Sequence, residues 1–345
     1  MSVGYTSILW NSEKKRYDRG ILIFVLVYLI SFYGLHALLH PEATSETLLI
    51  RAFGILAFFF LHVILVIGPL CRLNPVFLPL LYNRRHMGVS MFIVALIHGS
   101  FSIMQFHGFG DMNPIRSIFL SNLDYISLNE FPFQVLGFFA LIIFGLMAVS
   151  SHDFWLKNLG AKIWKMLHMM VYVAYALIIL HVVLGATQND KSTVFFMIVL
   201  LGFVSITLIH LVAGKKEKKV DNEKPIVDHG YARVCKPEDF EENKAKMITC
   251  GERIAVFKYD GKLSAVHNVC KHQGGPLGEG EIVDGCITCP WHGYQYLPGN
   301  GQSPPPFNEK VATYELKIQD GYVWVNMEAK AEGEEVEPLN LRDYE

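Results

Sequence analysis

Residues 270–296 read CKHQGGPLGEGEIVDGCITCPWHGYQY, and two short spacings inside them decide the C-terminal fold. Cys270 and His272 form Cys-x-His; after sixteen intervening residues, Cys289 and His292 form Cys-x-x-His. Two thiolates and two imidazoles make a four-ligand metal set, which by number alone also suits structural zinc. Each half lies in a Gly-rich or Pro-bearing loop, HQGGPLG and CPWHGYQY, and a third loop, GQSPPPF at 301–307, is placed to close over the site. On either side are strand pairs joined by Asp-Gly, the strongest two-residue hairpin signal: Asp260-Gly261 in 253–269 and Asp320-Gly321 in 310–326. Residues 225–327 therefore read as a small all-β domain, and 328–345 as a flexible acidic tail.

Upstream the chain changes character. Of its 345 residues 52% are hydrophobic, and the charge is unevenly divided. Residues 1–213 hold 13 Lys and Arg against 9 Asp and Glu, whereas 214–345 hold 17 against 23. Neither part has the one-sided basic excess of a nucleic-acid binder, so no nucleic-acid partner is expected. Six apolar stretches, near 20–39, 50–70, 87–106, 132–150, 164–186 and 193–213, are each long enough to span a bilayer core, which takes roughly 20 helical residues. The first follows the charged run Glu13–Arg19 as a signal peptide would, but YGLHALLHPE after it is a poor cleavage site, so it reads as a helix.

The expected fold class is thus a membrane all-α six-helix bundle followed by a small all-β domain. Its parts are an N-terminal segment 1–19, the helical domain 20–213, a charged linker 214–224 that stops the last helix, the β domain 225–327 and the tail 328–345.

Orientation follows the placement of Lys and Arg. With the N-terminus inside, the inner segments carry fourteen, including Arg16, Arg72, Arg84, Arg85, Lys157 and Lys215, and the outer segments only Arg51, Arg116 and Lys191. Both termini are expected in the cytoplasm, and the metal motif with them. Cys71, Cys235, Cys250 and Cys286 are scattered, as in a reducing compartment.

Histidines inside spans are functional candidates by default. His86 and His98 lie twelve apart on the third span, His168 and His181 thirteen apart on the fifth. At 1.5 Å per residue these separations are about 18 and about 19.5 Å, so two levels arise, each with one His from each helix. Two stacked bis-histidine haems need that arrangement. On straight helices the azimuths disagree, by about 120° and about 220°, so bending has to supply the difference. His62, mid-span, suits a lone ligand, a quinone contact or a hydrogen bond between helices. The 107–131 connection is long, and its NPIRSIFLSNLDYISLNEFPF is expected to form a short interfacial helix over the outer end.

The 270–296 motif resembles the Rieske domain. That resemblance implies a [2Fe–2S] cluster with Cys270 and Cys289 on one iron and His272 and His292 on the other. The respiratory type of Rieske site adds a disulfide between its loops; here those positions are Gly275 and Trp291. Tyr294 stands where that type has a sulfur-bonding Ser, and Tyr296 matches its bonding Tyr. The site is similar to the ferredoxin and oxygenase kind, with fewer hydrogen bonds to sulfur and a lower potential.

Residues 50–212, through RRHMGVSMFIVALIHG, DFWLKNLGAKIWKMLHMMVYVAYALIILH and the second span, resemble the ferric-reductase-like transmembrane family. This implies b-type haem, with His98, His168 and His181 on family ligand positions and His86 less conforming. His98 with His181 is the first pair, His86 with His168 the second. Together these imply an oxidoreductase-type function: electron transfer from a cytoplasmic cluster through two haems to an acceptor at the outer face. No GxGxxG element is present, so a separate cytoplasmic reductase or reduced carrier is expected as donor. The location implied is a bacterial inner membrane. The alternatives are a Rieske ferredoxin tethered by anchoring or quinone-binding spans, and a redox sensor.

Overall fold

The computed structural model describes residues 12–345 except Tyr82, Asn129, 190–192, Glu223, Gln273, His292 and Glu345. Among the described residues the chain divides into two compact units, one built on residues 12–69 and 83–211, the other on 70–82 and 212–345.

Eight α-helices are described: α1 (Ser12–Leu39), α2 (Ser45–Leu73), α3 (Arg84–His107), α4 (Pro114–Leu120), α5 (Phe133–Ser150), α6 (Asp153–Met169), α7 (Val171–Asn189) and α8 (Thr193–Asn222). Six helical stretches are long and apolar enough to cross a membrane, as expected; the fifth runs Ile163–Gly185 across the α6–α7 junction. Leu56, Phe60, Leu61 and Leu65 of α2 form the centre of the helical core, against Met91 and Val94 of α3, Ala140 and Phe144 of α5, and Ala174 and Tyr175 of α7. Leu22, Leu26 and Ile30 of α1 remain exposed. In water each would forgo roughly 2 kcal/mol of burial, whereas lipid tails remove that penalty.

Three boundaries differ from the sequence reading. Helix α1 already begins at Ser12, inside the expected N-terminal segment. Helix α8 does not stop at 213 but continues through the charged residues to Asn222. Lys and Glu are good helix formers, so the change of solvent does not break the helix; Pro225 lies just past its end. The fifth span is broken at Met170, whose N–H bonds tightly to Leu167 and His168 carbonyls. His168 and His181 therefore lie on different helices, and the straight-helix azimuth does not apply to them.

The β domain has strands β1 (Val227–Asp228), β2 (Tyr231–Arg233), β3 (Ala245–Cys250), β4 (Glu252–Tyr259), β5 (Lys262–His267) and β6 (Glu281–Val283). They are followed by β7 (Cys286–Thr288), β8 (Gln295–Tyr296), β9 (Thr313–Tyr314), β10 (Leu316–Gln319), β11 (Tyr322–Asn326) and β12 (Leu339–Asn340). One sheet runs β1-β2-β11-β10, a second β12-β5-β4-β3 with β9 also on β5, and a third β6-β7-β8. Ile254, Val256, Leu263, Val323 and Val325 fill the core between the larger sheets.

Both expected Asp-Gly turns close hairpins, with positive φ at Asp260 and Gly261 and at Asp320 and Gly321, as a type I′ turn requires. Asp284-Gly285 makes a third between β6 and β7.

The 328–345 segment is not a loose tail: β12 pairs with β5, Val336 N–H donates to Gly299 O at 2.8 Å, and Leu341 is buried. Glu328, Glu332, Glu334, Glu335 and Glu337 are exposed, while backbone bonds and two leucines, Leu339 and Leu341, dock the segment.

Candidate redox centres

Two loops supply the cysteines, one linking β5 to β6 and one linking β7 to β8, and they close in the same way. Cys270 N–H donates to Gly275 O (2.8 Å) and Gly274 N–H to Cys270 O (2.7 Å). Cys289 N–H donates to Tyr294 O (2.8 Å) and Gly293 N–H to Cys289 O (2.9 Å). Each closing glycine, four residues after its cysteine, is left-handed: φ is 74° at Gly274 and 69° at Gly293. The repeated Cys-x-x-x-Gly is visible in the sequence but was not singled out.

Both cysteines are 1% exposed, with their side chains within hydrogen-bond reach of one another. Tyr296, fully buried on β8, places its hydroxyl 3.3 Å from Cys270 Sγ and accepts the Lys271 N–H at 3.0 Å. Burial opposes ionisation of Cys270, but hydrogen bonds to its sulfur from Cys289, Tyr296 and the His272 backbone outweigh this and bring the thiol down to about 6. A thiolate is the metal-binding form.

The His272 ring stacks on Tyr294, with centroids 4.9 Å apart and planes within 5°. Phe307 of the third loop packs on Tyr294 at 5.0 Å, and the Tyr294 hydroxyl bonds Glu309. Burial and that carboxylate push the Tyr294 phenol up. A Cβ on Gly275 would stand 2.9 Å from Cys289 Sγ and 3.0 Å from the Trp291 ring, so these two positions meet where the respiratory type has its bridge. His292 lies outside the described residues. Two converging thiols, a held imidazole and hydrogen bonds aimed at sulfur fit a [2Fe–2S] cluster.

In the helical unit the structure brings the His98 and His181 rings together edge-on, with centroids 6.3 Å apart and planes at 83°. Their Nδ1–H groups donate to carbonyls of other elements: His98 to Ile50 O of α2 and His181 to Phe133 O of α5, both at 2.9 Å. Four residues beyond each carbonyl is a glycine. A Cβ on Gly54 would be 3.0 Å from the His98 ring, and one on Gly137 would be 2.8 Å from His181 Nδ1. Neither glycine nor either carbonyl was predicted as part of the site. With Nδ1 donating, each ring keeps its lone pair on Nε2. A metal about 2 Å from each Nε2, with the ring centre roughly 1 Å behind, puts two axial imidazoles about 6 Å apart, so the pair fits bis-histidine ligation.

His86 and His168 have other neighbours. His86 Nδ1 donates to the Asp18 carboxylate of α1 at 2.8 Å. His168 donates from Nδ1 to Trp164 O (3.0 Å) and stacks on the Trp164 ring at 3.8 Å. Its Nε2 is 3.4 Å from Ser151 Oγ, but that hydroxyl gives its hydrogen to Met147 O at 2.7 Å, leaving the His168 lone pair uncommitted.

His62 is a helix-to-helix contact: Nδ1 donates to Phe58 O (2.9 Å), and Nε2 receives the Tyr175 hydroxyl (3.3 Å). His107 Nδ1 pairs with Ser117 Oγ of α4 at 2.9 Å. The expected short helix is α4, N-capped by Asn113.

Comparison with known proteins gives two family matches. Residues 230–315 match the Rieske [2Fe–2S] domain, and residues 53–179 match the ferric reductase like transmembrane component. Over 92 residues, 26% of this chain and 85% of the relative, it is 35% identical to the anthranilate 1,2-dioxygenase ferredoxin subunit of Burkholderia cepacia. The chain belongs to the Rieske family.

Other relatives are matched in part. The heme-binding subunit of protein-methionine-sulfoxide reductase from Herminiimonas arsenicoxydans is 33% identical over 123 residues, 36% of this chain and 51% of the relative. Cholesterol 7-desaturase nvd 1 of Ciona intestinalis is 34% identical over 117 residues, 33% of this chain and 25% of the relative. The chain therefore spans about a quarter of the desaturase and about half of the heme-binding subunit. It is a multi-pass membrane protein with a Rieske domain.

Proposed function

We propose that the protein conducts single electrons across a bacterial inner membrane, from a cytoplasmic reductase or reduced carrier to an acceptor at the outer face. Cys270, His272, Cys289 and His292 would hold a [2Fe–2S] cluster, His98 and His181 one b-type haem, and His86 and His168 a second. These groups supply one-electron chemistry; the protein fixes their positions and potentials.

The observation that carries the reading is the opposed His98–His181 pair, each Nδ1 anchored on a neighbouring element. His36, His62, His168 and His210 instead bond the carbonyl four residues back on their own helix, so the anchoring by a neighbouring element singles out the first pair and not His168. Bonds from Nδ1 to a neighbouring element fix the tautomer and leave Nε2 free to face a metal. Asp18 does the same for His86. The heme-binding relative and the fourteen-to-three division of Lys and Arg support haem and the cytoplasmic placement of both termini.

Helix α4, with Phe119 packed edge-on against Phe138 at 5.4 Å, covers the outer end of α5 and offers the acceptor a surface.

The purified protein is expected to show a b-type spectrum and iron beyond the two atoms of the cluster. His98→Ala with His181→Ala removes that haem while the reduced-cluster EPR signal persists. A haem-free protein, or a spectrum indifferent to both substitutions, sinks the proposal.

A further inference from the structure

Two helical turns beyond each opposed histidine stands a glutamine: Gln105 follows His98 by seven residues on α3, and Gln188 follows His181 by seven on α7. Seven residues return a side chain to within about 20° of the same face, about 10 Å further along the axis. Helical side chains lean toward the N-terminus, so both carboxamides lean back toward the imidazoles.

Their anchoring repeats as well. Gln105 Nε2 donates to Thr47 Oγ at 3.2 Å, on the same helix whose Ile50 carbonyl holds His98. Gln188 Nε2 donates to Phe131 O at 2.9 Å, two residues before the Phe133 carbonyl that holds His181. Each amide thereby uses one of its two N–H groups. Gln105 Oε1 is buried with no hydrogen bond. Turning that amide over lets the Thr47 hydroxyl donate to Oε1 and frees both N–H groups, an assignment that heavy atoms alone do not decide. In the turned orientation the buried atom without a partner is a donor, which is costly unless a polar acceptor meets it.

We propose that Gln105 and Gln188 are a carboxamide clamp that hydrogen-bonds the porphyrin carboxylates of the haem held by His98 and His181. This rests on the haem reading above and goes beyond it by assigning which residues grip the rim of the group. A carboxylate is acceptor-only and takes the remaining N–H of each amide. The clamp is neutral, so it orients the porphyrin without adding a compensating charge.

The full-length protein, stripped of haem in detergent, is titrated with protohaem and with its dimethyl ester, whose carboxylates are blocked. Binding is assigned to this site by its loss in the His98→Ala, His181→Ala variant. The parent is expected to prefer protohaem by about tenfold, the scale of a charge-assisted hydrogen bond. In Gln105→Leu, Gln188→Leu that preference falls to near unity while the bis-histidine spectrum remains. Gln105→Glu, which sets an anion against the carboxylate, weakens protohaem binding and leaves the ester unchanged. An undiminished preference in the double Leu variant overturns the clamp, as does equal loss of both porphyrins in the Glu variant. A parent that binds neither porphyrin overturns the haem reading itself and the clamp with it.

Discussion

The Tyr296 hydroxyl serves two partners, Cys270 Sγ and the Lys271 N–H. Tyr296→Phe keeps the ring and removes both bonds. Donation to a ligand sulfur stabilises the reduced, more negative cluster, so the midpoint potential is expected to fall by about 50 mV, the one-electron equivalent of roughly 1 kcal/mol. An EPR-monitored redox titration that finds the potential unchanged removes this role.

Glu279, in the loop after Cys270, offers a different test. Burial and then the nearby Glu217 raise its pKa, against the pull of Arg72, Arg253 and Lys216. The folded protein holds this proton to higher pH than the unfolded chain does. Its contribution is therefore present below the ordinary carboxylate range, about 4, and is lost as pH rises through the folded value. Glu279→Gln is expected to raise the melting temperature at pH 7 and to leave it unchanged near pH 4. A variant equally stabilised at both pH values shows packing rather than ionisation.

At the scale of elements, the helical site depends on how closely α2 approaches α3 and α5 approaches α7. The Gly137 position shows how little room there is, since a methyl there lies 2.8–2.9 Å from imidazole atoms of His181. The ring, tied at Nδ1 to Phe133 O, has to rotate or lose that bond. Gly137→Ala is expected to convert part of the low-spin haem EPR signal to high spin, with helix content by circular dichroism unchanged. An unaltered low-spin spectrum places the axial ligand elsewhere.

Elements also show what sequence could and could not reveal. The Cys and His spacings and the Asp-Gly turns were legible because their chemistry is local. Which carbonyls hold His98 and His181 was not, because every residue has a carbonyl and only helix packing selects Ile50 and Phe133. The run from Lys215 to Lys219 was read as the end of α8, which in fact continues to Asn222, since charge alone does not stop a helix. The tail was misread for a related reason: β12 docks through backbone pairing, to which side-chain acidity is indifferent.

For the whole molecule, the proposed function turns on the connection between the helical and the β parts. Helix α8 ends at Asn222 and β1 begins at Val227, so only a few residues separate them. On the proposed reading, so short a tether holds the cluster at high effective concentration for the inner end of the membrane domain, and that concentration falls steeply as a flexible linker grows. Inserting about 20 Gly and Ser residues between Glu223 and Lys224 leaves both folds and both ligand sets intact. The cluster EPR signal and haem spectrum are expected to remain, while the haem reduction rate after rapid reduction of the cluster falls by about tenfold. The same trace gives direction, because haem reduction must follow cluster reduction and precede oxidation by an external acceptor. A rate insensitive to the insertion would mean that electrons reach the haem without passing through the tethered domain. Haem reduced before the cluster would turn the current inward, from the outer face to the cytoplasm.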